Sequence, residues 1–202
     1  MIDTEPAPVS TVIGHRGAAG HAPENTLASL EAASGLGVRW GEFDTKLTAD
    51  GHVVVFHDDT LERTTGGSGT VAETTLADLR ALDAGSWFDA AYAGQRVPTL
   101  KEAMETLARL GLGAARDTAP NIHRALNVFK IPWGWRNRTK ALGCRAVHCL
   151  EKNLTARQVG VLKDEGMVVR AFTVNDQTRA KTLLRWGVDG VFSDYPERLL
   201  PR

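Results

Sequence analysis

Three short segments place charged residues at the ends of apolar runs: Ile13-Gly14-His15-Arg16-Gly17, Glu42-Phe43-Asp44 and Val53-Val54-Val55-Phe56-His57-Asp58. The second and third segments are joined through Asp50-Gly51, a dipeptide typical of two-residue hairpin loops. A link this short predicts that the flanking runs pair antiparallel. With Asp50 and Gly51 as the loop, we expect Leu47 opposite Val54, and Asp44 opposite His57.

This pairing predicts a cluster of carboxylates and an imidazole. Directly opposed residues share a face of a sheet, and Glu42 shares a face with Asp44 because strand side chains alternate. Two adjacent carboxylates repel each other unless a cation lies between them, and oxygen ligands favour a hard divalent ion. We therefore predict that Glu42 and Asp44 bind Mg²⁺ or Ca²⁺. The alternative is a solvated strand face, but the apolar Phe43 on the opposite face favours the metal site.

Composition indicates an ordinary globular chain. Its 202 residues are 43% hydrophobic and carry 24 basic and 24 acidic residues, which predicts a single domain over residues 1–202. The zero net charge indicates neither a nucleic-acid partner nor an anionic membrane. The sequence has no apolar run of membrane-spanning length, and residues 1–10 do not resemble a signal peptide, so we expect a cytoplasmic location.

The order of predicted elements is that of an α/β protein. A strand over residues 11–14, a helix opened by Pro23-Glu24-Asn25-Thr26 and a strand at Glu42 form a βαβ unit, which implies a parallel sheet. Further predicted helices cover residues 75–82, 100–110, 155–165 and 177–186, with one ending at Leu142. Further strands are predicted at 125–129, 146–149, 168–174 and 190–193.

Residues 60–97 form a turn-rich excursion from this pattern. Trp87, Phe88 and Tyr92 lie within it, either as part of a small satellite core or along a substrate mouth. We favour the satellite core, because long loops commonly cover small apolar clusters.

The sequence resembles the glycerophosphodiester phosphodiesterase family in four motifs: Gly14-His15-Arg16-Gly17, Pro23-Glu24-Asn25-Thr26, Glu42-Phe43-Asp44 and Val55-Phe56-His57-Asp58-Asp59. The resemblance implies a TIM-type (β/α) barrel of the phosphatidylinositol-phosphodiesterase-like kind, with an insertion at about residues 60–97. It implies metal-dependent hydrolysis of a small glycerophosphodiester to glycerol 3-phosphate and an alcohol. Its implied site residues are His15 and His57 as general base and acid, Arg16 on the phosphate, and Glu42 and Asp44 on the metal.

The barrel implied by the resemblance is incomplete. About six strands are predicted where a closed barrel needs eight, and no Glu-x-Lys follows Gly113. In the family this motif supplies the third metal carboxylate and a phosphate-binding lysine, so we predict an internal deletion near Ala114. The gap can be closed by a smaller barrel or by a dimer, or it can stay open.

Two other functions stay open on the sequence. The chain can be a catalytically impaired or inert barrel remnant that at most binds a phosphorylated ligand, because the third carboxylate is missing. Sphingomyelin-type phospholipase D activity shares the two histidines and the Glu-x-Asp pair. The intact Pro23-Glu24-Asn25-Thr26 motif and the insertion favour the phosphodiesterase instead.

Overall fold

The structure, a computed structural model, describes residues 12–112 and 124–200. Its contacts divide the chain into two compact units. The amino-terminal unit comprises Gly14–Ala114 with Asp194–Glu197, and the carboxy-terminal unit comprises Met1–Ile13, Ala115–Ser193 and Arg198–Arg202. A single domain over the whole chain stays a prediction, and the predicted break near Ala114 lies outside the described residues.

The described strands form two sheets. They are β1 (Val12–Gly14), β2 (Thr45–Leu47), β3 (Val53–Val55), β4 (Arg124–Val128), β5 (Cys144–Leu150), β6 (Val168–Phe172) and β7 (Gly190–Ser193). One sheet has the order β1-β7-β6-β5-β4, with the pairs from β4 to β7 parallel, and the other is the antiparallel pair β2-β3. The predicted strand at Glu42 is reduced to a parallel bridge between Gly14 and Gly41.

The described ranges contain six α-helices, which alternate with the strands from α3 onward: α1 (Leu27–Gly35), α2 (Leu76–Ala81), α3 (Leu100–Leu110), α4 (Trp135–Leu142), α5 (Ala156–Asp164) and α6 (Gln177–Arg185). Five of them begin at a side chain that accepts a hydrogen bond from a backbone N–H of the first turn, as helix starts require. These capping residues are Thr26, Thr75, Thr99, Thr155 and Asp176. The predicted α/β class and mostly parallel sheet are confirmed.

The core of the carboxy-terminal unit lies on one face of the parallel sheet. Val147 pairs with Val169, and Ala171 pairs with Val191, so alternate residues of neighbouring strands point to the same side. These residues pack with Val159, Leu162 and Leu183 from α5 and α6.

The hairpin of the amino-terminal unit divides two smaller cores. Val54 packs with Leu61, Val71 and Leu79 beneath the excursion of residues 60–97. Val55 points the other way and packs with Leu30 of α1 and Leu107 of α3. Because successive side chains of β3 point to opposite faces, this one strand contributes to both cores.

The register of this hairpin differs from the prediction by one residue. Leu47 lies opposite Val53, and the Phe56 N–H donates to the Asp44 carbonyl at 3.0 Å, so Asp44 faces Phe56. The loop has three residues, ending at Gly51 with φ of +81°, and the Thr48 N–H donates to the His52 carbonyl to close it. Since a one-residue slip reverses the faces of a strand, the predicted pairing of Asp44 with His57 is wrong.

The loop after β1 is held against the first turn of α1. The Ala18 N–H donates to the Ser29 carbonyl at 3.0 Å, and the Ser29 hydroxyl donates to the Arg16 carbonyl at 2.8 Å. Gly17 permits this approach, because it has φ of +86° and a Cβ there would lie 2.4 Å from Ser29 Oγ. The loop that carries His15 and Arg16 therefore depends on a residue without a side chain.

We expect Gly17→Ala to lower the free energy of unfolding by about 2–4 kcal/mol, because it combines a left-handed backbone with a steric clash. Urea unfolding of the two proteins measures the change. Gly35→Ala is the matched control, since nothing lies within 4 Å of its added methyl group, and it should be neutral or slightly stabilising. Equal stability of Gly17→Ala and the parent would contradict the tight packing of this loop.

Candidate active site

The predicted site residues all belong to the amino-terminal unit. His15 and Arg16 lie in the loop after β1, Glu42 and Asp44 precede β2, and His57 follows β3. The structure brings the first four together through hydrogen bonds and charge, whereas His57 joins them through other side chains.

His15 is paired with Asp194. The distance between His15 Nδ1 and Asp194 Oδ1 is 2.6 Å, and the His15 side chain is largely buried. Burial lowers the pKa of His15, but the Asp194 hydrogen bond and the negative charges of Glu42 and Asp194 outweigh it, so the pKa lies above the usual 6.5. Because Nδ1 is engaged, the Nε2 atom is the one that can exchange a proton with a ligand.

The Glu42 and Asp44 carboxylates are held by backbone and amide donors. Glu42 Oε2 accepts from the Arg16 N–H at 3.0 Å. Asn25 clamps Asp44 twice, since its Nδ2 donates to Asp44 Oδ2 and its Oδ1 accepts from the Asp44 N–H, both at 3.1 Å. Burial, and then the charge of Asp44, raise the pKa of Glu42. The charges of His15 and Arg16 oppose this rise but do not cancel it.

The Arg16 side chain lies between two carboxylates. Its Nη1 donates to Glu24 Oε1 at 2.6 Å, and its Nε lies 3.3 Å from Asp44 Oδ2. The Nε atom is buried, and its geometry with Asp44 does not make a hydrogen bond. Arg16 also has φ of +50°, a left-handed conformation that is uncommon for a residue with a side chain and that concentrates at functional sites.

His57 reaches this group through a chain of charged residues. His57 Nδ1 lies 2.5 Å from Asp58 Oδ1, Arg63 Nε donates to Asp58 Oδ2, and the other two nitrogens of Arg63 donate to both oxygens of Glu24. Arg63 and then His57 hold the pKa of Asp58 far below its usual range against the opposing effect of burial. The described contacts therefore link His57 to Glu24 rather than to Glu42 and Asp44.

A pocket of about 300 Å³ opens beside His15 and Arg16. Its polar side includes Glu24 and Asp194, and its other side is aromatic. The lining aromatic residues are Trp87, Phe88 and Tyr195. Trp87 packs edge-on against Phe88, which packs edge-on against Tyr92. The satellite core forms without Trp87 and Phe88, so the interpretation of these two residues as core residues is wrong.

Sequence reasoning missed four residues of the site: Glu24, Asn25, Arg63 and Asp194. Glu24 and Asn25 belong to the motif that opens the predicted helix but carry no predicted site role, although Asn25 adopts φ of +58° and points its amide at Asp44. Asp194 directly follows β7, and an acidic residue at a strand end was an available signal. Arg63 carries no local signal, because its partners are five and 39 residues away.

Glu42 and Asp44 suit a cation ligated by oxygen, but they offer it only two carboxylates. Within residues 12–112 and 124–200, no group of three acidic, histidine or cysteine side chains has the arrangement of a metal site. Burial, and then the charge of Asp44, raise the pKa of Glu42, and a cation beside both carboxylates would offset this effect. Mg²⁺ is commonly held by one or two carboxylates and several waters, so these residues fit such an ion.

Comparison with known proteins places the chain in a family. The sequence profile described as the glycerophosphoryl diester phosphodiesterase family matches residues 15–114 and 110–198. The chain belongs to this family. The two matched segments meet where the internal deletion was predicted. No helix in the described ranges has the length and apolar character needed to cross a membrane.

Individual relatives agree with this assignment. A glycerophosphodiester phosphodiesterase from Caldanaerobacter subterraneus is 30% identical over 235 residues, covering 94% of this chain and 96% of the relative. One from Bacillus subtilis is 29% identical, covering 92% and 83%. Since the first alignment is longer than the whole chain of 202 residues, the relative contains residues that this chain lacks.

A solved structure shows the same fold. A phosphodiesterase from Oleispira antarctica, in complex with the product sn-glycerol-3-phosphate, superposes with a TM-score of 0.90 at 36% identity, covering 95% of each chain. The fold of this family member is therefore that of the solved phosphodiesterase.

We expect Asp194→Asn to lower the pKa of His15, because it removes the carboxylate hydrogen bond and one of the two negative charges that oppose burial. Proton NMR titration in the presence of EDTA measures this value, with His15→Gln used to assign the signal. Glu197→Gln is the control, since Glu197 contacts His21 instead. An unchanged His15 titration in Asp194→Asn would contradict the pairing.

The pairing of His15 with Asp194 also makes the stability of the folded protein depend on pH. A histidine whose folded pKa is raised stabilises the protein fully below the unfolded value of about 6.5, and this contribution is lost as the pH rises through the folded pKa. Asp194→Asn should lose that contribution.

Proposed function

We propose that this chain hydrolyses glycerophosphodiesters to sn-glycerol 3-phosphate and an alcohol. The observation that carries the proposal is the pairing of His15 with Asp194 beside Arg16 in the 300 Å³ pocket. This arrangement supplies a proton acceptor and a cation at one place, and it occurs in a member of a phosphodiesterase family. The substrate is therefore a small molecule, and a cytoplasmic location stays a prediction.

His15 acts as the general base in this proposal. Asp194 fixes Nδ1, so Nε2 faces the reacting hydroxyl, which in the family is thought to be the glycerol hydroxyl adjacent to the phosphate. Its attack on phosphorus breaks the bond to the alcohol and forms a cyclic phosphate, and one water molecule then opens this ring to give glycerol 3-phosphate. The same carboxylate stabilises the imidazolium that forms when the proton is taken. The raised pKa strengthens the imidazole as a base.

Arg16 and His57 serve the phosphate and the leaving alcohol. The Nη2 group of Arg16 makes no hydrogen bond to the described residues, so it is the donor that a phosphate oxygen can use. His57 is the general acid that protonates the leaving oxygen, and the Asp58 contact orients its ring. The hairpin register places it differently from our expectation, so its role rests on the motif rather than on cross-strand pairing.

Glu42 and Asp44 would hold the divalent ion, Mg²⁺ or Ca²⁺. When bound, such an ion polarises a phosphoryl oxygen and neutralises the developing charge. The family's third carboxylate and phosphate lysine do not follow Gly113 in the sequence. We therefore propose a weakened enzyme rather than a fully competent one.

The second candidate function is an inert remnant that at most binds a phosphorylated ligand. The missing Glu-x-Lys favours it, because fewer charges then stabilise the transition state. Activity measurements separate the two candidates.

We expect His15→Ala and His57→Ala each to reduce hydrolysis of glycerophosphocholine by about a hundredfold or more, because each removes a proton-transfer group. Release of glycerol 3-phosphate is measured in the presence of Mg²⁺ or Ca²⁺. His52→Ala is the matched control, since His52 is an exposed histidine directly after the hairpin loop. Its rate should equal that of the parent.

Two outcomes would change the proposal. A parent protein without activity in either metal supports the inert remnant. A variant of His15 or His57 that retains the parent rate shows that this residue is structural. We also expect the parent rate to lie below that of the Caldanaerobacter enzyme, because that relative contains residues missing here.

A further inference from the structure

Positive charge is concentrated in one part of the sequence. From Thr118 to Leu150 the chain contains six lysines and arginines and no aspartate or glutamate: Arg124, Lys130, Arg136, Arg138, Lys140 and Arg145. The chain as a whole has 24 basic and 24 acidic residues. The balanced total, which led us to expect no membrane partner, therefore conceals a local excess.

The same segment exposes large apolar side chains. Trp133 is 100% exposed, Phe129 is 75% exposed and Leu142 is 51% exposed. Trp133 and Phe129 are the two most exposed large hydrophobic residues in the described part of the chain. Exposed aromatic residues of this kind are more typical of an interaction surface than of a solvated one.

The loop that presents Trp133 is held in place. It connects β4 to α4, and the Asn153 side chain donates to the Phe129 carbonyl at 2.8 Å. The Phe129 ring packs edge-on against Phe172, with 6.3 Å between centroids, and the Trp135 N–H donates to the Pro132 carbonyl. Trp135 itself is buried, so the chain turns inward directly after presenting Trp133 outward.

Several cations beside this loop are available to a partner. Lys130, Arg138 and Lys140 are exposed and form no ion pair with any described residue, whereas Arg136 pairs with Glu165. Arg138 and Leu142 are four residues apart on α4 and therefore adjacent on its surface. Lys140, two residues after Arg138, lies on a different flank of the same helix. We call the exposed side chains of this segment the basic aromatic surface: Phe129, Lys130, Trp133, Arg138, Lys140 and Leu142.

We propose that the basic aromatic surface binds the surface of an anionic phospholipid bilayer. Lysine and arginine are attracted to anionic headgroups, and tryptophan and phenylalanine partition into the interfacial layer. Surface attachment of this kind needs no spanning helix. A bilayer accommodates the scattered Trp133, Phe129 and Leu142, whereas single-stranded nucleic acid would use aromatic rings aligned along a groove.

Vesicle sedimentation tests the proposal and does not depend on hydrolysis. The parent should bind phosphatidylcholine vesicles that contain phosphatidylserine, and it should bind pure phosphatidylcholine far less. We expect Lys130→Glu/Arg138→Glu/Lys140→Glu to weaken binding by about a hundredfold at low salt. Trp133→Ala should weaken it about tenfold. Each protein's circular dichroism spectrum shows that it is folded.

Two control variants make the same charge change, or remove an exposed apolar side chain, at other positions. Lys101→Glu/Arg157→Glu/Lys181→Glu alters three exposed cations elsewhere, and Leu47→Ala removes an exposed apolar side chain. Both should bind like the parent. The proposal is overturned by equal binding of the test and control variants, or by absence of binding to anionic vesicles. It is also overturned by tighter binding to a single-stranded oligonucleotide, or by Trp133-dependent dimerisation without vesicle binding.

Discussion

The left-handed backbone of Arg16 is the constraint on which the site depends. In this conformation its N–H donates to Glu42, while its carbonyl accepts from the Ser29 hydroxyl and the Asn25 N–H. One residue thus ties the loop after β1 to the first turn of α1 and to an acidic residue. The adjacent Gly17 makes the close approach possible. The strain of a non-glycine residue at positive φ persists because several contacts determine it together.

From Arg16 outward, positively and negatively charged side chains alternate. The Arg16 guanidinium contacts Glu24, Glu24 contacts Arg63, and Arg63 contacts Asp58 beside His57. Glu24 and Asp58, the carboxylates in this series of contacts, each have a cationic partner. Removing one partner therefore leaves the other partly buried and without a compensating charge. Glu42 and Asp44 differ, because the charges of His15 and Arg16 do not offset burial and the charge of Asp44, and the pKa of Glu42 is raised. The site therefore has a local excess of negative charge, where a divalent cation would be stabilised.

Local patterns predicted the elements well. Helix α3 and strand β7 have the predicted bounds, because a capping residue or a terminal glycine marks the helix and a short apolar run marks the strand. The hairpin register could not be read in the same way, since Asp50-Gly51 fits loops of two or three residues. His15, Arg16, Glu42 and Asp44 were identified from their motifs. Asp194 and Arg63 were not, because His15 lies 179 residues from Asp194 and Glu24 lies 39 residues from Arg63.

We propose that Glu42 and Asp44 bind a divalent cation with fewer protein ligands than the family's intact site offers. Isothermal titration of the chain with Mg²⁺ and Ca²⁺ tests it most directly, beside Asp44→Asn and the control Asp59→Asn, whose carboxylate is exposed and bound to Lys46. The account predicts weak but saturable binding of at least one ion by the parent and Asp59→Asn, and its loss in Asp44→Asn. Absence of saturable heat in the parent at millimolar metal, or unchanged binding by Asp44→Asn, would contradict it.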